Sequence, residues 1–187
     1  MSRPNQFLSP EGDLEDYFVD EYWLIDQWVG DTLLSWGFNG NGFLGDNTII
    51  SRSTPVTTFA GGTNWKQVDG GGLHAAAIKT DGTIWTWGSN GYANLGTGNT
   101  VARSTPTTTF MGGTNWNQVS CRGNNMTASI KTDGTLWVWG NNAYGHLGIN
   151  VGSGTRNTGV TTFAGGSNWK QVSSNCAIRT SDDLQGI

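Results

Sequence analysis

Cysteine is almost absent from this chain: Cys121 and Cys176 are the only two in 187 residues. Without a CxxC spacing they form neither a disulfide framework nor a zinc site, and they read as free, small core residues. Proline is scarce as well, at 4 residues, and histidine at 2. No apolar run of about 18 residues occurs, so no membrane span is expected. The opening MSRPNQFLSPEG lacks a basic segment followed by an apolar run, so no secretory signal is expected either. Positive charge is missing from one end. Glu11, Asp13, Glu15, Asp16, Asp20, Glu21, Asp26 and Asp31 face a single base, Arg3, over the first 31 residues. The remainder carries a slight excess of bases, too weak to argue for a nucleic-acid backbone as partner. The asymmetry suits an arm that lies on a body surface, its own or a neighbour's.

What is abundant is glycine, at 29 residues, and tryptophan, at 10. Glycine-rich chains are often disordered, but disordered chains lack aromatics. So many tryptophans need burial, and the combination predicts a folded, turn-dense protein.

Three markers recur in step. WGFNGNGFLG from Trp36 returns as WGSNGYANLG from Trp87 and WGNNAYGHLG from Trp139, at spacings of 51 and 52 residues. GGTNWKQV, GGTNWNQV and GGSNWKQV place Trp65, Trp116 and Trp169 at spacings of 51 and 53. IKTDGTIWTWG recurs as IKTDGTLWVWG. Three markers on one period define a repeat protein. Within each unit TIWTWG and TLWVWG alternate bulky side chains behind an Asp-Gly hairpin turn. NWKQV and HAAAIKT read as two further strands, and the Thr-rich STPVTTF and STPTTTF as an exposed fourth. Units of this length with three or four strands match one blade of a β-propeller.

These motifs, W-G-x-N-x-x-x-x-L-G, N-W-x-Q-V and I-K-T-D-G-T-x-W, resemble the regulator of chromosome condensation repeat family from residue 30 to about 180. The resemblance implies an all-β fold, a partial β-propeller of about three blades, with protein contacts made by faces and rims. It also places a histidine where His74 stands, read as orienting a turn. No residue here matches a nucleotide-exchange contact, so the exchange activity of the family's best-known member is not carried over. The repeats divide as 30–80, 81–132 and 133–187 behind an N-terminal arm, 1–29. Trp36, Trp87, Trp139, Trp65, Trp116 and Trp169 are the expected blade core, with Trp36, Trp87 and Trp139 equivalent and largely buried.

Gly40, Gly42 and Gly45 spell GxGxxG, the pattern of a dinucleotide-binding turn. The second copy reads Gly91-Tyr92-Ala93-Asn94-Leu95-Gly96, and no helix is predicted after Gly45, whereas a phosphate cradle needs a helix N-terminus behind it. The glycines therefore read as a turn inside a blade, and no cofactor or metal is expected. No Ser-His-Asp order, HExxH, paired Glu or calcium loop occurs. Asp81 and Asp133 each precede a hairpin glycine and are explained by turn geometry, and His146 reads as a surface-loop residue. The expectation is a protein that is not an enzyme.

The ends of the repeat array fall in mid-blade. GDTLLSWG aligns with DGTIWTWG, so the array opens on a tryptophan strand without the strands that precede it. NWKQVSSNCAIRT reaches the I-K-T strand and has no tryptophan strand after it. Three blades are too few for a ring, since propellers close with roughly four to eight. Two chains head to tail could share strands in a six-bladed ring, or a different protein could cap the ends. Residues 13–29, DLEDYFVDEYWLIDQWV, place Leu14, Tyr17, Phe18, Ile25 and Trp28 near helical spacing, with an extended strand as the alternative. Tyr17, Phe18, Tyr22, Trp23 and Trp28 are the candidate interface of this arm, which either covers the first blade or docks in another subunit. Compact, cysteine-poor, Thr/Gly/Asn-rich repeats behind a short arm also resemble fibre or surface proteins of tailed phages. The expected function is a structural assembly protein of a virion, with a soluble propeller-type module binding a protein or glycan, and a cytoplasmic location, as the alternative.

Overall fold

A computed structural model of the chain describes residues 31–121 and 125–180, and every regular element among them is a β-strand. The strands are β1 (Leu34–Gly37), β2 (Arg52–Thr57), β3 (Trp65–Gly70), β4 (His74–Lys79), β5 (Ile84–Gly88) and β6 (Arg103–Thr108). They continue as β7 (Trp116–Ser120), β8 (Met126–Lys131), β9 (Leu136–Asn141), β10 (Thr155–Thr161), β11 (Trp169–Ser173) and β12 (Cys176–Arg179). Two four-stranded antiparallel sheets form, β3-β4-β5-β6 and β7-β8-β9-β10, flanked by the two-stranded pairs β1-β2 and β11-β12. The arrangement is two full propeller blades between two half-blades.

Each full blade follows from its repeat. Asp81 and Gly82 close the β4–β5 hairpin, where Asp81 accepts hydrogen bonds from the Thr83 amide at 2.9 Å and hydroxyl at 2.6 Å. Gly82 has φ +78°, and a Cβ there would collide with the Thr114 carbonyl of the next blade. Glycine is needed at that point for two reasons, the left-handed backbone and the close approach. Asp133 and Gly134 repeat the arrangement against Ser167. The outermost strands β2 and β6 carry Pro55 and Pro106, and Pro is tolerated there because one side of an edge strand needs no donor.

β3, β7 and β11 share a one-residue bulge, between Trp65 and Gln67, Trp116 and Gln118, and Trp169 and Gln171. A bulge re-aims a side chain, and here it turns Gln67 and Gln118 toward the following blade. Gln67 donates to Val119 O and accepts from Val119 N, both at 3.0 Å. Gln118 donates to Lys170 O at 2.7 Å and accepts from Val172 N at 3.3 Å.

The core lies between blades. Ala76, Ile78 and Ile84 of one sheet pack against Trp116, Val119, Cys121 and Trp139 of the next. Alanines at 75–77 keep β4 thin enough for sheets to approach on both faces, and every residue from His74 to Ile78 is buried. Trp87 and Trp139 are sealed in these interfaces, but Trp36 corrects the expectation drawn from its motif: it is 62 % exposed. Burial of this tryptophan is conferred by the blade before it, and no described blade precedes β1. Trp65 and Trp116 are buried, while Trp169 is half-buried because β11-β12 has no tryptophan strand beside it. Cys121 is a free, buried thiol as expected, whereas Cys176, the first residue of β12, is exposed and is not a core residue.

Candidate functional site: the open blade edges

The WGxN loops are built from within. Asn39, Asn90 and Asn142 are buried, and each staples its own loop. Asn90 Nδ2 donates to Asn99 O at 2.9 Å and Val101 O at 3.1 Å, while its Oδ1 accepts from Leu95 N at 2.9 Å. Asn39 and Asn142 accept from Leu44 N and Leu147 N in the same way. The loop so fixed offers a seat to the next blade's tryptophan. Trp87 Nε1 donates to Phe43 O at 2.7 Å, and Trp139 Nε1 to Asn94 O at 2.9 Å. Gly42 and Gly45, from the GxGxxG pattern, lie against Ser104 and Trp87, where a Cβ would meet them at 2.6 and 3.0 Å. No helix stands behind this loop, and its glycines serve blade packing.

His74 belongs to this inter-blade machinery. Its carbonyl accepts from Gly71 N at 2.8 Å, which pins the turn before β4, but its ring reaches Thr127 of the next blade at 3.1 Å. The Thr127 hydroxyl donates to Asn94 O at 2.7 Å, so its oxygen must accept from His74 Nε2–H. Both side chains are wholly buried and out of reach of a substrate. Burial pushes the His74 pKa down to about 4, although the Met126 backbone and the Asp69 charge act in the opposite direction.

An unfolded histidine titrates near 6.5, so between that pH and about 4 only the unfolded chain takes up the proton. The stability contributed by neutral His74 is thus complete above pH 6.5 and is lost as pH falls toward 4. The loss over that window is expected to reach about 3 kcal/mol. Urea unfolding at stepped pH should show it in the native chain, and His74→Gln should flatten the slope. Asp81 and Asp133, held below the usual carboxylate range first by their threonine hydroxyls, weaken the fold only at lower pH.

Among the described residues no group of His, Cys, Asp and Glu could hold a metal, and no helix is long and apolar enough to cross a membrane. A cleft beside β1, lined by Leu33, Thr58, Thr63 and Trp65 among others, carries no ionisable side chain. His146 is half-buried in the third loop, edge-on to Tyr144 at 5.6 Å. The arm residues Tyr17, Phe18, Tyr22, Trp23 and Trp28 lie outside the described residues.

The feature that stands out is a pair of unfinished surfaces. Ile78 and Ile130 are buried in blade interfaces at 0 % and 2 %, yet Ile178 on β12 is 58 % exposed. Val119 is 2 % exposed and Val68 on β3 is 50 %. Among the described residues β1 and β12 each have one strand neighbour and one open side. Sequence reading located these ends from the missing strands, but it overlooked the glutamine clamps. The signal was a glutamine at one fixed place in all three NWxQV segments.

Blades of four antiparallel strands, repeated with one period and packed face to face through tryptophans, define a propeller-type repeat protein. The regulator of chromosome condensation (RCC1) repeat profile matches residues 31–78 and 81–130, and a second RCC1 profile matches 65–93. The chain belongs to the RCC1 repeat family. It is 37 % identical over 117 residues to the ultraviolet-B receptor UVR8 of Arabidopsis thaliana, a match covering 61 % of this chain and 26 % of the receptor. Human WBSCR16 superposes with a TM-score of 0.65 at 24 % identity, covering 76 % of this chain and 38 % of that one. Yeast RCC1 (Prp20), solved bound to Kap60, superposes with a TM-score of 0.65 at 16 % identity, covering 77 % and 36 %. The chain thus spans about a quarter to two fifths of the length of these relatives.

Proposed function

We propose that this chain is a non-enzymatic structural protein that acts through protein–protein contacts of its blade edges and N-terminal arm, as a tail, fibre or surface component of a virion. The observation that carries the reading is the pair of open edges, where residues buried elsewhere in the same repeat stand in solvent: Trp36 against Trp87 and Trp139, Ile178 against Ile78 and Ile130. Unpaired strand edges with apolar flanks are assembly surfaces. The yeast relative solved with Kap60 supports protein partners for the same fold. A non-enzymatic role is supported by His74, whose contact with the Thr127 hydroxyl is sealed between blades.

The reading is tested by mass spectrometry of density-purified particles from the producing culture. Peptides of this chain should band with the particles in fixed stoichiometry. Their recovery only from the soluble fraction would discard the virion role. A second reading, a soluble module binding a protein or glycan, is favoured by Tyr92 and Tyr144. They occupy one loop position in successive repeats and are 50 % and 85 % exposed, as stacking platforms would be. A glycan array would then register binding that a Tyr144→Ala variant loses.

A further inference from the structure

We propose that β12 of one copy pairs antiparallel with β1 of a second copy, so that the half-blades β11-β12 and β1-β2 merge into one four-stranded blade. The inference rests on the protein-contact reading above and goes further by fixing partner and register. The two half-blades are complementary: β11-β12 repeats the inner strands β3-β4 and β7-β8, and β1-β2 repeats the outer strands β5-β6 and β9-β10. Within the chain Ala76 stands opposite Thr86 and Ile78 opposite Ile84, and Ala128 and Ile130 stand likewise opposite Val138 and Leu136. The repeat alignment transfers this register to Cys176 opposite Ser35 and Ile178 opposite Leu33 of the second copy.

Three further contacts fall into place under the same single step. A Cβ built at Gly45 or Gly96 would meet the tryptophan of the following blade, whereas at Gly148 nothing among the described residues lies within 4 Å. Gly148 marks a third seat without a tryptophan, and Trp36 is a tryptophan without a seat. Ile78 packs with Val119, and Ile130 with Val172; the remaining pair is Ile178 and Val68, both half or more exposed. Gln67 and Gln118 clamp the β7 and β11 backbones, and the same step sets Gln171, at the equivalent bulge in β11, against β3 of the second copy. Joined within one copy, the described strands would make a three-bladed ring, below the roughly four to eight blades that propellers use, whereas those of two copies reach six.

The native thiol supplies the test. Directly opposed antiparallel residues have Cα atoms about 4.5–5.5 Å apart, within disulfide range. Ser35→Cys in the full chain, mildly oxidised, should therefore shift most of the protein to a reducible band at twice the 20.0 kDa chain mass. Cys121 is fully buried and does not compete. Leu34→Cys, whose side chain points to the other face of the strand, should give no such band, nor should Ser35→Cys combined with Cys176→Ser. Ser35 Oγ donates to Leu44 O at 2.7 Å, so folding of the variant is checked by its urea midpoint, and a second variant is read by light scattering. Ile178→Asp, placed at an exposed site, should fold and halve the solution mass of the unmodified chain. A monomeric native chain, an intrachain disulfide, or equal cross-linking by Ser35→Cys and Leu34→Cys would overturn the pairing. A chain that bands with particles yet is monomeric in solution would overturn this pairing alone and leave the virion role standing.

Discussion

Truncating Trp87 or Trp139 to alanine is expected to remove about 3–5 kcal/mol of stability, while the same change at Trp36 in the isolated chain removes less than about 1 kcal/mol. All three stand in the same WGxN motif, and the difference comes from what precedes them. Trp87 is 1 % exposed, lies edge-on to Trp65 with ring centroids 6.3 Å apart, and donates to Phe43 O. Trp139 repeats these contacts with Trp116, at 6.1 Å, and with Asn94 O. Removing either ring opens a cavity between two sheets; at Trp87 it also takes the indole donor from Phe43 O, whereas Asn94 O beside Trp139 keeps the Thr127 hydroxyl. Each edge-on cluster also holds a cation: Lys79 Nζ is 4.7 Å from the Trp65 and Trp85 rings, and Lys131 Nζ is 4.7 Å from the Trp116 and Trp137 rings. Urea unfolding of the three variants gives the comparison directly. Measured in the monomeric Ile178→Asp background, where no second copy covers Trp36, a Trp87→Ala loss equal to that of Trp36→Ala would mean that the blades do not share an interface of this kind.

The same contrast shows how far the sequence could be read. The period, the strand order within a blade and the mid-blade position of both ends followed from repeated motifs, because strands and turns are specified locally by alternation, Asp-Gly and Thr-Pro. Burial at Trp36 and Cys176 did not follow, because neither residue's own repeat decides it. Trp36 is covered only if a loop such as Gly42–Gly45 precedes its strand, and Cys176 only if a strand such as β5 follows. His74, placed by the family resemblance, reads as a residue that orients a turn. Its Thr127 contact spans a whole repeat, and no local pattern announces a partner at that separation. The loop asparagines were visible at fixed spacing within WGxN, yet the spacing alone does not tell an exposed turn residue from a buried staple.

That staple carries the second large effect. Replacing Asn90 with leucine, similar in size, is expected to lower stability by about 3 kcal/mol, since each buried backbone group stranded without a partner costs roughly 1–3 kcal/mol. The groups concerned are Leu95 N, which is buried, and Asn99 O and Val101 O, which water reaches in part. The loss is not confined to the loop, because Asn94 and Leu95 next to it form the seat of Trp139 and the anchor of Thr86 Oγ. Asn90→Asp separates the two sides of the amide. It keeps the acceptor for Leu95 N but sets a carboxylate against two carbonyl oxygens, so at neutral pH its loss should equal or exceed that of leucine. Protonating that carboxyl restores a donor, so the deficit relative to the native chain at the same pH should shrink on acidification. Matching against the native chain at each pH removes the separate, opposite trend from His74. Urea midpoints of the two variants, measured at neutral and acid pH, decide it: an aspartate deficit that stays constant would show that the loop carbonyls do not depend on the amide's donors.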